Sequence, residues 1–257
     1  MNGEVVISAQ DVYKDYGHVQ ALRGASLEVH RGEIVALVGD NGAGKSTLMK
    51  TMCGAVQPDA GEIRILGRPV DLASVKIAHE LGVQTVYQDL ALAPDLNVTS
   101  NIFLGTEIVR PGVLGKVGWL SRRAMAVEAR KALHEFGVSV PSVDVAVSDL
   151  SGGQRQAVAI ARALRTAENA ILLDEPTAAL GTRQTEIVIE TVRTIAARGL
   201  GVLVISHDMP RMLHLAHRIV VLRLGAVVAS MPAAEATIPR IVAVMLGASA
   251  EAVDAVS

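Results

Sequence analysis

Ile34-Val35-Ala36-Leu37-Val38-Gly39-Asp40-Asn41-Gly42-Ala43-Gly44-Lys45-Ser46-Thr47 is the stretch on which the fold turns. Its first five residues are apolar throughout, the pattern of a strand buried on both faces in a parallel sheet. The next eight, Gly39 to Ser46, fit G-x-x-x-x-G-K-[ST], with Thr47 following. Leu48, Met49, Met52 and Cys53 then share one helical face, and Gly54 is well placed to end the helix. Glycines between a strand and a helix let backbone N–H groups turn inward around phosphate oxygens. The helix N-terminus adds partial positive charge. Lys45 is placed to reach β- and γ-phosphates, and Ser46 to offer its hydroxyl to Mg²⁺.

Working outward, Val5-Val6-Ile7-Ser8 and Ala25-Ser26-Leu27-Glu28-Val29 read as short strands before the loop. After the helix, Pro58-Asp59-Ala60-Gly61 reads as a turn into strand Glu62-Ile63-Arg64-Ile65. From 92 to 150 the character changes. Pro94, Pro111, Gly112, Gly115 and Gly118 mark loops beside a helical stretch from Ser121 to Phe136, a separate and mainly helical insert. Alternation then resumes: a helix from Gly153 to Thr166, a strand over Ala170 to Leu173, and a helix over Arg183 to Arg198. A strand at 202–206 and a helix through Ala216 follow. That order implies βαβ units and a doubly wound sheet. Ala248 to Ser257 are small and expected to be disordered.

Composition bounds the function. The chain has 257 residues, enough for one large α/β domain or a core with a subdomain. Half are hydrophobic but only 2% aromatic, so the core must be built of Val, Ile, Leu and Ala. A formal charge of −2 gives no electrostatic case for nucleic acid. Cys53 is the one cysteine, which excludes a disulfide framework and fits a reducing compartment. No apolar stretch reaches the roughly 18 residues of a bilayer span, and the N-terminus shows no signal peptide. The expectation is a soluble cytoplasmic chain that meets membranes only through a partner.

Two further motifs carry chemistry. Ile171-Leu172-Leu173-Asp174-Glu175-Pro176 is an apolar strand ending in two acids, and ligands in this fold class lie at the carboxyl ends of strands. Neighbouring strand residues point to opposite faces. Asp174 is thus placed for Mg²⁺, and Glu175, just past the strand end, for the attacking water. An acidic turn closing a strand is common alone; beside a phosphate loop it is functional. Leu150-Ser151-Gly152-Gly153-Gln154-Arg155-Gln156 opens a helix whose apolar side carries Val158, Ile160, Ala161 and Leu164. Ser151 with two glycines makes a second anion site at a helix N-terminus, unless it is an ordinary serine cap. One nucleotide does not need two such sites in one subunit, so this loop is read as capping the γ-phosphate of ATP held by a second copy.

The phosphate loop, LSGGQRQ and LLDEPTAAL, in this order and spacing, resemble the nucleotide-binding subunit of ABC transporters from about residue 4 to 247. The resemblance implies a P-loop NTPase (RecA-like) core of class α/β with an N-terminal antiparallel β subdomain. The core would span 1–91 and 151–247, the helical subdomain 92–150 and a tail 248–257. It implies ATP and Mg²⁺, with Gly39 to Thr47 (Gly39, Asp40, Asn41, Gly42, Ala43, Gly44, Lys45, Ser46, Thr47), Ser151, Gly152, Gly153, Gln154 and Asp174 on the nucleotide. Tyr16 falls where the family stacks an aromatic ring on adenine, with Tyr13 as competitor. Gln88, rather than Gln84, falls at the glutamine that touches Mg²⁺ and the lytic water. His207, after a buried strand, falls at the histidine that contacts the γ-phosphate. Glu175, His207 and Gln88 are thus the implied catalytic residues, and Ser46, Gln88 and Asp174 the implied metal ligands. Gly181 stands where many members carry an aspartate reaching across the dimer.

The segments GDNGAGKST, Thr85 to Leu92 and PTAALG are similar to bacterial importers of monosaccharides, with the single-domain fructose type nearest. That likeness implies an ATPase energising sugar import, paired with a second copy, with membrane permease subunits, and indirectly with a periplasmic sugar-binding protein. It places the chain peripherally on the cytoplasmic face of the inner membrane. Two competing readings are a soluble ABC ATPase of the translation or DNA-repair type and a regulatory ATP-binding protein that does not hydrolyse. The first usually carries two cassettes, long insertions or basic surfaces, and intact Glu175 and His207 argue against the second. Cys53 and Trp119 read as structural.

Overall fold

The structure is a computed structural model and describes residues 3–112, 116, 118–135, 140–178 and 180–247. Gly115, Phe136, Ala179 and the tail from Ala248 to Ser257 lie outside them. Two compact units are present. Unit 1 comprises Met1–Thr85, Ala167–Pro176 and Val192–Ser257, and unit 2 comprises Val86–Thr166 and Thr177–Thr191.

Unit 1 holds two sheets. The first has the order β2-β1-β4-β5, from β1 (Val5–Tyr16), β2 (Val19–His30), β4 (Ala60–Ile65) and β5 (Arg68–Val70). Its pairings are antiparallel. β1 and β2 are each 12 residues long, longer than the fragments legible in sequence. The reason is a register irregularity between Ala9 and Val12, with Asp11 at φ 47°, which breaks the alternation of apolar residues.

The second sheet has the order β10-β9-β3-β8-β7-β6. It is built from β3 (Ile34–Val38), β6 (Val83–Val86), β7 (Ala170–Asp174), β8 (Gly201–Ile205), β9 (Arg218–Arg223) and β10 (Ala226–Pro232). β3 runs parallel to β8 and β9, and β7 parallel to β8, while β10 closes an antiparallel hairpin on β9. β3, β7 and β8 are buried at every position, as expected of strands covered on both faces. Leu37 and Asp174 both pair with Ile205. The carboxyl ends of β3, β8 and β7 are therefore level. This register brings the phosphate loop, the two acids and His207 to one edge of the sheet.

α1 (Lys45–Met52) follows the loop. Leu48, Met49, Met52 and Cys53 are fully buried, and Gly54 at φ 76° ends the helix. α2 (Val75–Glu80), α7 (Met209–Leu215) and α8 (Ile238–Leu246) complete unit 1. The C-terminal strands β9 and β10 and helix α8 go beyond the elements read from sequence.

Unit 2 is helical, with α3 (Val98–Phe103), α4 (Arg122–Glu135) and α5 (Gly152–Leu164). Val98, Ile102, Phe103, Met125, Ala129, Leu133, Val143, Leu150 and Val158 form its core. The Arg165 guanidinium stacks 3.7 Å from the Phe103 ring centroid. α6 (Thr182–Ala197) begins in unit 2 and ends in unit 1. Among the described residues no helix is long and apolar enough to cross a membrane.

Candidate nucleotide site

The phosphate loop is held by backbone on two sides. A Cβ at Gly39 would meet the Leu222 carbonyl oxygen at 2.2 Å, and one at Gly44 would meet the Ala21 oxygen at 2.5 Å. Both glycines also have positive φ, 155° and 104°, so both positions need glycine. Ala43 accepts a bond from the Gly225 N–H at 2.9 Å, which ties the loop to the β9–β10 turn. Gly44 is the N-cap of α1 and supplies no side-chain acceptor to the helix. The first-turn N–H groups therefore face the loop rather than a capping side chain.

Lys45 is buried and donates to the carbonyl oxygens of Gly39 at 2.7 Å and Asp40 at 2.9 Å. Burial pulls its ammonium below the ordinary lysine range, while the charges of Glu175, Asp40 and Asp174 pull it back up. Asn41, Gly42 and Thr47 belong to the same loop and first helical turn; a Cβ at Gly42 would meet open space.

Asp174, at the end of β7, is 8% exposed. Burial raises its carboxyl, and the Lys50 charge, a hydrogen bond with the Ser46 hydroxyl, and the charges of Lys45 and His207 work against that rise. Two hard oxygens, from Ser46 and Asp174, thus meet beside the loop. Such a pair suits Mg²⁺, which binds through one or two protein oxygens and completes its shell with water and substrate phosphate. Among the described residues no group of three or more His, Cys, Asp or Glu is arranged to hold a metal ion by itself.

Glu175 is the strained residue of the site. Its φ is 50°, its N–H bonds the Ile205 oxygen at 2.9 Å, and its side chain is 14% exposed. The left-handed turn carries the carboxylate away from the strand direction. His207 Nε2 stands 3.2 Å from Glu175 Oε1, but that oxygen lacks a well-aligned hydrogen bond. Burial pushes the Glu175 carboxyl up, opposed by the His207 charge and backbone N–H; Asp174 adds to the rise. His207 itself is half exposed. Asp208 caps α7 by accepting from Arg211 N–H at 3.2 Å, and its own N–H bonds Ser206 Oγ, which fixes the His207 backbone.

Tyr16 pairs with Val19 across the β1–β2 turn and is 49% exposed. The Tyr13 hydroxyl lies against Gly24, where a Cβ would meet it at 2.9 Å. Tyr13 thus packs on β2, and Tyr16 is the ring at the hairpin end.

Gln88 and the LSGGQ loop belong to unit 2. Gln88 is exposed just beyond β6. Arg162 of α5 donates to the carbonyl oxygens of Leu90 at 2.8 Å and Ala91 at 2.7 Å, fixing the loop that Gln88 opens. Ser151 caps α5 in a full capping box: Ser151 Oγ accepts from Gln154 N–H and Gln154 Oε1 accepts from Ser151 N–H. A Cβ at Gly153 would meet Gln184 side-chain carbons at 2.5 Å, so this glycine serves close packing on α6. Gly152 has room, with only Leu180 Cδ2 at 3.5 Å.

Two residues given no role in the nucleotide site by the sequence stand beside its elements. Lys50 lies one turn after Ser46 on the same face of α1, a spacing of four that could have marked it. Asp59 contacts the strand end that carries Tyr16, across a separation that no local pattern reveals.

Comparison with known proteins agrees with this arrangement. Residues 22–178 match the sequence family described as ABC transporter. A fructose import ATP-binding protein of Rhizobium meliloti is 44% identical over 252 residues, 96% of each chain. A xylose/arabinose import ATP-binding protein of Sulfolobus acidocaldarius is 42% identical over 93% of each. A ribose import ATP-binding protein of Yersinia pestis is 38% identical over 96% of this chain but 47% of its own length. Among solved structures, an ABC transporter ATP-binding cassette in its ADP conformation superposes with a TM-score of 0.81. It is 25% identical, over 95% of this chain and 99% of that one. A dimeric cassette in a post-hydrolysis state with ADP and Pi gives 0.73 at 27% identity, over 88% and 98%. With phosphate loop, paired acids and LSGGQ helix on a P-loop NTPase core, the chain belongs to the ABC transporter family.

Proposed function

We propose that this chain binds and hydrolyses ATP as the energising subunit of an ABC importer for a monosaccharide, acting as a pair of copies. The observation that carries the hydrolytic reading is Glu175. It is partly buried, turned out of the strand by a positive φ, raised in pKa, and adjacent to His207 and Asp174. A carboxylate with a raised pKa is a better proton acceptor near neutrality than an ordinary one.

Lys45 and the loop N–H groups hold the β- and γ-phosphates, and Tyr16 stacks on the adenine. Ser46 and Asp174 would hold Mg²⁺, which supplies charge neutralisation of the phosphate oxygens when bound. Glu175 orients a water in line with the γ-phosphorus and takes up its proton. The new P–O bond forms as the bond to the ADP oxygen breaks, and His207 donates a hydrogen bond to the γ-phosphate. The chemistry is positioning and electrostatics, without a covalent enzyme intermediate.

Ser151, Gly152, Gly153 and Gln154 complete the site of a second copy, the α5 N-terminus facing that copy's γ-phosphate. The relatives support the sugar-import reading. Fructose, xylose/arabinose and ribose import ATP-binding proteins all resemble the chain across almost its whole length. A permease in the inner membrane, met from the cytoplasmic face by the helical unit, and a periplasmic sugar-binding protein are the partners of this reading.

Glu175→Gln tests it. Phosphate release should fall about 10²- to 10³-fold, the range of general-base catalysis, while ATP still binds and paired chains accumulate. Undiminished hydrolysis would remove Glu175 from its role. Co-purification of a permease, with ATPase activity raised by one sugar and its binding protein, tests the import assignment.

A further inference from the structure

Asp59 lies in the connection between α1 and β4, outside every motif used above. Its Oδ1 accepts from Lys14 Nζ at 2.7 Å, and its Oδ2 accepts from Asp15 N–H at 2.7 Å. Its own N–H donates to the Tyr13 oxygen at 2.9 Å. One residue therefore engages the three residues that immediately precede Tyr16. Lys14 Nζ, held in this way, stands 5.8 Å from the Tyr16 ring centroid, within cation–π range. The other end of the connection is fixed to the phosphate-loop helix. Ala55 and Val56 N–H groups both bond the Lys50 oxygen, at 2.8 and 3.1 Å.

We propose that Asp59 is a positioning residue for the nucleotide base: it sets the Tyr16 ring at a fixed distance and angle from the phosphate loop. This rests on the reading of Tyr16 as the adenine-stacking residue. The chemistry explains why a carboxylate stands here. Two acceptor oxygens are needed at once, one for an ammonium and one for an amide; Asn offers a single acceptor oxygen and no charge. An ion pair whose carboxylate is half exposed adds little to global stability. Its effect is local: it orders a strand end that would otherwise fray beside the Gly17 turn. Without the clamp the ring still exists but is spread over several orientations. The base then meets a stacking surface that must be ordered at binding.

The experiment uses the full chain with Asp59→Ala, Asp59→Asn and Tyr16→Ala, reading KM and kcat for Mg·ATP and the inhibition constant of inorganic tripolyphosphate. Tripolyphosphate has no base and reports the phosphate loop alone. Asp59→Ala should raise KM for ATP about 3- to 10-fold, part of what a stacked base is worth. The kcat and the tripolyphosphate constant should each stay within about twofold, since the phosphate contacts are untouched. Asp59→Asn should fall between Ala and the parent, and Tyr16→Ala should exceed both. An unchanged KM in Asp59→Ala beside a raised KM in Tyr16→Ala overturns the proposal and leaves the Tyr16 reading intact. An unchanged KM in Tyr16→Ala overturns the Tyr16 reading itself. Equal weakening of ATP and tripolyphosphate in Asp59→Ala also overturns the proposal, because it would place the effect on the phosphate loop.

Discussion

Glu175 carries the cost of the site in two forms. A non-glycine residue in the left-handed region is strained by about 1–3 kcal/mol, and the structure holds it there at φ 50°. Its carboxyl is also desolvated, and so is that of Asp174; both are raised above the ordinary acid range. The folded chain then binds protons at these groups more tightly than the unfolded chain does. Stability contributed by them therefore falls as pH rises through the interval between unfolded and folded pKa. At neutral pH a neutral isostere removes that cost, so Glu175→Gln should melt about 1–4 °C higher than the parent, seen by calorimetry at pH 7. A lower melting temperature would mean that His207 and Lys45 more than compensate the charge. The same shift bears on turnover: Glu175 must be ionised to act. The acid limb of kcat/KM should accordingly lie above the range of an unperturbed glutamate, measured as phosphate release against pH. The residues of this site were legible in sequence wherever a motif is contiguous, because a strand, a turn and a helix cap act over a few residues. Strain at Glu175 was not, since it depends on the register of β7 against β8.

Among the elements, β3 and β9 are linked at their amino ends by a cluster that no motif announced. Glu33, with its side chain 3% exposed, receives Arg218 Nε at 2.7 Å and Nη2 at 3.0 Å, and the His30 N–H at 2.9 Å. Arg218 Nη2 also bonds the Glu28 oxygen of β2, joining the two sheets of unit 1. Burial pushes the Glu33 carboxyl up, but hydrogen bonds from Arg218 and His30 outweigh it and hold the group below its ordinary value. The stability it adds is present at neutral pH and is lost as pH falls below about 4.5 through the folded pKa. Removing the arginine would leave a buried, unpaired carboxylate, so Arg218→Ala should cost about 3 kcal/mol, read as a shift of the urea midpoint. A shift near zero would contradict the packing described. Arg218 and Glu33 are 185 residues apart in sequence, and only the parallel pairing of β3 with β9 brings them together. The bounds of α5 and α6, by contrast, were legible to within two residues because caps and apolar periodicity are local. α2 and α3, six residues each, were too short to show a period.

At the scale of the whole molecule, each chain carries a phosphate loop on unit 1 and an LSGGQ helix on unit 2. In the proposed pair, one ATP needs the first from one copy and the second from the other. Mixing two inactive variants tests this most directly. Lys45→Ala spoils the phosphate loop. Gly152→Asp puts a negative charge at the α5 N-terminus at a position with room for a Cβ. A mixed pair holds one site with both lesions and one with neither. Each variant alone should release almost no phosphate, and an equal mixture should recover about a quarter of the parent rate, as random pairing of two-fold partners predicts. Full activity in Gly152→Asp alone, or a mixture that stays silent while subunits demonstrably exchange, would contradict a site shared between copies.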